Sequence, residues 1–120
     1  MADRPALEPV WLVRTGTVLC AAVRATSRTD RRRGLLGVDQ VAEPLVIQPC
    51  SWVHTVGMRI SLDVAHVGHD GTVIAISQMK PWRIGSYVRG SHLVIEAGAG
   101  SFERWNMQTG DVVEVRDVAR

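Results

Sequence analysis

From about Val10 onward, short apolar runs alternate with turn-forming residues, and the spacing predicts mostly strands. Val10–Arg14 and Thr17–Ala25 are β-like runs around Thr15-Gly16 and read as a hairpin. Ser27 to Leu36 reads as a short helix, with Ser27 as N-cap, Asp30 at the capping-box position and Gly37 as the left-handed stop. Leu45–Gln48 is a strand bounded by Pro44 and Pro49. Ile60–Val67 and Thr72–Met79 are strands joined by Asp70-Gly71, a pair favoured in two-residue hairpin turns. Lys80-Pro81-Trp82-Arg83 breaks the pattern, and Ile84–Arg89 and His92–Ala97 form a further pair around Gly90-Ser91. A helix follows over Phe102–Met107 with Ser101 as its N-cap, then a last strand over Val112–Arg116. Residues 1–9, with Pro5 and Pro9, read as a flexible arm.

A two-residue loop at Asp70-Gly71 fixes a register, with Val67 opposite Ile74, Ala65 opposite Ile76 and Asp63 opposite Gln78. Asp63 then stands at the end of an apolar face, where a carboxylate is costly unless it is paired or hydrogen-bonded. The other face (Leu62, Val64, His66, Val73, Ala75, Ser77) is also mostly apolar, so both faces are expected to be covered. The expected fold is a β-rich α+β single domain over 10–120, a small distorted antiparallel barrel-like sheet with two short helices.

Composition narrows the picture without changing it. With 120 residues, 46% of them hydrophobic, there is material for one core and none for a second domain. The four Trp outnumber the single Tyr and single Phe, so each Trp is expected to anchor packing or line a pocket. Net charge is +2 and Lys80 is the sole lysine, a bias that fits codon usage as well as anion binding. Arg31-Arg32-Arg33, with Arg28 one turn earlier, could contact phosphate, but one cluster without interleaved aromatics speaks against nucleic acid. Cys20 and Cys50 form no disulfide framework and no Cys-x-x-Cys pair. The start Met-Ala-Asp-Arg-Pro carries no signal-peptide pattern, and no apolar run reaches membrane-span length. These features lead to the expectation of a reduced, cytoplasmic protein, monomeric or weakly dimeric.

The densest chemistry lies between Cys50 and Asp63. Cys50, His54 and Met58 recur every four residues and are soft donors of the kind copper takes, yet Gly57 and a loop conformation leave them no fixed geometry, so no metal and no cofactor is expected. Cys50 with His54 as base lacks an orienting third group. Asp63 and Glu96 are the carboxylates expected inside strands, either hydrogen-bonded in place or paired for acid/base work. His66, His69 and His92 have no ligand spacing, and Trp82 either rims a pocket or wedges one end of the fold.

Taken in order, several segments form a pattern: Arg33-Gly34-Leu35-Leu36-Gly37, His54-Thr55-x-x-Met58 with Leu62-Asp63, the Asp-Gly hairpin, Lys80-Pro81-Trp82-Arg83, Val94-Ile95-Glu96-Ala97-Gly98 and Gly110-Asp111. This order over about residues 10–116 resembles the DUF192 family, small bacterial and archaeal proteins of unknown function. The resemblance implies a compact β-rich domain with short helices and implies no activity. Many relatives look exported, which leaves the compartment open. Where many members read Trp-Met-x-Asn-Thr, this chain has Thr55 in the threonine place and His54 in place of the asparagine.

The resulting expectation is a non-catalytic accessory module that binds a protein or small molecule through Cys50, His54, Thr55, Met58, Asp63, Trp82 and Glu96. The alternative is a small hydrolase-like enzyme built on Asp63, Glu96 and His54.

Overall fold

The computed structural model describes residues 7–118. Its elements are β1 (Glu8–Arg14), β2 (Thr17–Ala25), α1 (Arg28–Arg33), β3 (Leu45–Ile47), β4 (Leu62–Val67), β5 (Val73–Met79), β6 (Leu93–Gly98), α2 (Ser101–Arg104) and β7 (Val113–Asp117). Residues 1–6 of the expected arm lie outside the described residues, while Glu8 and Pro9 already belong to β1.

All seven strands form one sheet in the order β5-β4-β6-β3-β2-β1-β7. Every pairing is antiparallel except β2 with β3, which the α1 crossover makes parallel. The sheet is not closed into a barrel, which corrects the barrel-like expectation. Its edge strands lean together at a single bridge, Thr72 with Val112, beside main-chain bonds from Val73 N–H to Asp111 O and from Val113 N–H to Gly71 O, each 2.8 Å. The approach is close: a Cβ at Gly71, whose φ is +87°, would lie 2.5 Å from Val113 O.

The sheet has two differently filled faces. On one, Val10, Leu12, Val46, Ala65, Val67, Ile95, Ala97, Phe102 and Val113 form the main core. On the other, Leu62, Val64 and Val94 pack under Val53, Met58 and Met79, and Leu45 and Ile47 pack with Leu35 and Cys50. All six residues of β4 are buried, as its double-sided apolar pattern requires.

Three local expectations need correction. Asp63 does face Gln78 and Ala65 does face Ile76, but a bulge after His66 sets Val67 against Val73 rather than Ile74. The loop is longer than two residues, since Gly68 N–H bonds Thr72 O at 2.9 Å. Ile84–Arg89 is not a strand: apart from one bridge, His54 with Ile84, it forms no ladder, and β6 pairs with β3 and β4 instead. Both helices are also shorter than expected. Ser27 caps α1 through a 3.0 Å bond from Asp30 N–H, but α1 stops at Gly34, three residues before Gly37.

Candidate functional site

The segment from Ser51 to Met58 is strapped to the loop at 80–88 by main-chain bonds. Thr55 N–H donates to Arg83 O (2.7 Å), Gly85 N–H to Val53 O (3.0 Å) and Val88 N–H to Ser51 O (2.9 Å). Thr55 fastens the strap, because its fully buried hydroxyl donates to Lys80 O (2.6 Å) and accepts from Arg83 N–H (2.9 Å). Trp52 is fixed in the same way, its indole N–H donating to Gly85 O at 2.9 Å. The ring of His54 lies 5.7 Å from that of Trp52, and its Nδ1 accepts from Val56 N–H at 3.2 Å. Both ring systems remain exposed.

Between this segment and α1 lies a groove of about 710 Å³, within the size range of small-molecule sites. Arg28, Arg31, Arg32 and Arg33 form one side, Cys50, Trp52, His54 and Met58 the other, and Glu96 the floor. Arg31 is pinned by bonds to Thr26 O (3.1 Å) and Pro49 O (3.4 Å). None of these four arginines joins an ion pair among the described residues, where Arg14, Arg24, Arg59 and Arg116 do.

Glu96 and Gln48 each carry a buried side-chain oxygen without a hydrogen-bond partner, and of the two only Glu96 lines the groove. Glu96 sits mid-strand on β6, flanked by Leu45 of β3 and Val64 of β4, and is 4% exposed. Its Oε1 is buried with no hydrogen-bond partner. Burial alone pushes its pKa up to about 7. Gly34 lies directly above, since a Cβ there would be 3.4 Å from Oε1. The φ of +52° and ψ of −131° at Gly34 suit glycine alone, and the bare backbone leaves the oxygen room.

Cys50 borders the same space. Its thiol lies 3.3 Å from Trp52 O, and burial raises its pKa, with the Trp52 main chain and Arg31 opposing the rise and the Glu96 charge adding to it. A thiol so held is a poor nucleophile. Its main chain is anchored from below, where Ser91 Oγ donates to Cys50 O (2.8 Å) and lies 2.9 Å from Nδ1 of His66. With the serine proton directed at Cys50 O, His66 Nδ1–H is the donor to Ser91. Burial lowers the pKa of His66, which favours that neutral ring.

The structure therefore brings Cys50, His54, Met58 and Glu96 together and leaves three of the sequence candidates elsewhere. Thr55 faces the strap, and Trp82, 65% exposed, stands on the outer loop. Asp63 points to the opposite face of the sheet from Glu96, because Val64, not Asp63, is the register partner of Glu96. Its Oδ2 accepts from Gly100 N–H and Phe102 N–H, both at 3.0 Å, and Oδ1 from the Gln78 amide at 3.2 Å. Asp63 thus caps α2 from a neighbouring strand, in place of the local cap expected from Ser101. Gly34, Arg31 and Ser91 complete the groove; Arg31 lies in the arginine cluster noted as a possible phosphate contact and Gly34 in the Arg33-Gly34-Leu35-Leu36-Gly37 signature, whereas the local sequence of Ser91 shows no sign of it.

A family model for uncharacterized proteins, DUF192, matches residues 10–115, which include both walls and the floor of this groove. The chain belongs to the DUF192 family. Two solved structures share the fold seen here. One is a protein of unknown function from Novosphingobium aromaticivorans, with 22% identity, 94% of each chain covered and a TM-score of 0.72. The other, from Sinorhizobium meliloti, is described as a candidate transcription regulator, with 20% identity, coverage of 96% of this chain and 98% of that one, and a TM-score of 0.73. No curated protein matches the chain. No helix among the described residues is long and apolar enough to cross a membrane.

Proposed function

We propose that this DUF192 chain is a binding module whose groove between α1 and the 50–58 segment receives a small ligand. The observation that carries the reading is the unpartnered Oε1 of Glu96 at the groove floor. A buried polar atom without a partner costs about 1–3 kcal/mol, and apolar neighbours on both sides would accept an apolar residue there. Glu96 lines the groove, so a bound molecule can supply the partner its carboxyl lacks in the free protein. The neighbouring thiol and imidazole support binding over catalysis. Cys50 donates to Trp52 O, and the Nδ1 of His54 is engaged by Val56 N–H. The hydrolase-like alternative needs Asp63, Glu96 and His54 in one network, and Asp63 is engaged in capping α2 on the other face. A protein partner is the other form of the binding reading, supported by exposed Trp82, Ile84 and Tyr87 on the outer loop.

The test is an amide-shift NMR screen of the intact chain against a library of small polar fragments. Hits that move Gly34, Cys50, Ser51 and Ser91 together are the expected result. A library that shifts none of these amides would overturn the small-ligand reading.

A further inference from the structure

Resting on that reading of the groove, we infer that its ligand is a hydroxylated organic anion: the acidic group lies against Arg28, Arg32 and Arg33, and a hydroxyl bonds Glu96. Four guanidinium groups line one side of the groove, and none has a carboxylate partner among the described residues. Planar guanidinium donors match the paired oxygens of a carboxylate or phosphate. The same groove is lined by Glu96, whose carboxyl has a buried oxygen with nothing bonded to it. One end of the ligand must therefore be anionic and another must satisfy Glu96.

The chemistry of the second group follows from its surroundings. An ammonium would answer a carboxylate, but it would have to enter past four like charges. A hydroxyl carries no charge and can both donate and accept. With the acid poised near neutrality, both of its forms are populated, and the hydroxyl donates to the ionised form or accepts from the neutral one. The indole of Trp52, fixed through Gly85 O, and Met58 give the carbon skeleton an apolar wall.

Titration calorimetry with gluconate, glucose 6-phosphate, glucose and inorganic phosphate tests the inference. The two hydroxylated anions separate a carboxylate source from a phosphate source. At least one of them should bind at least tenfold more tightly than both neutral glucose and inorganic phosphate. Arg32→Ala combined with Arg33→Ala should weaken that binding tenfold or more. Glu96→Leu should weaken it similarly, whereas Glu96→Gln, which keeps a donor and an acceptor, should retain it. Folding of each variant is checked by its amide spectrum; should Glu96→Leu fail to fold, the arginine pair and the four-ligand comparison still decide. Glucose binding as tightly as both anions, phosphate alone matching them, or neither anion binding would overturn the inference. Fragment hits in the groove alongside silence from both anions would overturn the ligand class and leave the binding reading standing, while silence from every probe would overturn both.

Discussion

Asp63 on β4 and Glu96 on β6 are buried carboxyls on adjacent strands, pointing to opposite faces of one sheet. Asp63 accepts three hydrogen bonds, two of them from the main chain that opens α2. Oε1 of Glu96 accepts none. Burial is the same and the strand environment is similar, so burial alone does not distinguish an acid the fold satisfies from one it leaves without a partner. The difference lies in who supplies the donors. Around Asp63 the chain turns its own N–H groups inward. Around Glu96 it opens a groove, places a glycine over the oxygen and lines the rim with arginine.

The comparison breaks most sharply at Asp63. Asp63→Ala leaves Gly100 N–H and Phe102 N–H without their acceptor, and should destabilise the fold by about 2–5 kcal/mol in urea melts. An unchanged midpoint would sink the capping role. Glu96 should behave in the opposite sense. Its folded pKa, about 7, stands above the ordinary value of 4.5. Between these values the folded chain holds a proton that the unfolded chain releases, so stability falls as pH rises through that window and levels off above it. Glu96→Gln removes this titration: the variant should match the parent below pH 4.5 and exceed it above pH 7 by up to about 3 kcal/mol, losing the fall that Glu96 contributes in between. Parallel pH profiles for parent and variant would contradict this. The smallest effect belongs to Gln78→Ala, which removes one exposed partner of Asp63 and leaves both main-chain donors in place. A loss of about 0.5–1 kcal/mol is expected; a loss as large as that of Asp63→Ala would mean that the side-chain bond, not the cap, holds the site.

Much of the fold was legible because its signals are local. The Thr15-Gly16 hairpin, Ser27 as N-cap, the prolines around β3 and the opposition of Asp63 to Gln78 each follow from a few neighbouring residues. Misreadings fall where a distant partner decides. The Ile84–Arg89 run has strand-like composition, but its main chain is taken up by the Ser51–Thr55 segment through scattered bonds rather than a ladder. The cap of α2 comes from Asp63, nearly forty positions earlier, and no local pattern announces it. The site was legible in part. Cys50, His54, Met58 and Glu96 stand out in the sequence and line one groove, yet that Asp63 lies on the opposite face from Glu96 depends on which strands are neighbours. The arginines read only as a possible phosphate contact until they are seen to line the same groove as Glu96.

One feature at the far side of the sheet bears on how molecules of this chain behave toward one another. β5 and β7 are the strands with an unpaired side, and an unpaired side is a template on which another extended chain can grow. Where they meet at Thr72 and Val112, each occupies main-chain donors and acceptors of the other, and Gly71 lets them approach without a side chain in the way. The contact that falls short of completing a ring thus caps both edges at one end and shortens the stretch of each on which another extended chain could grow.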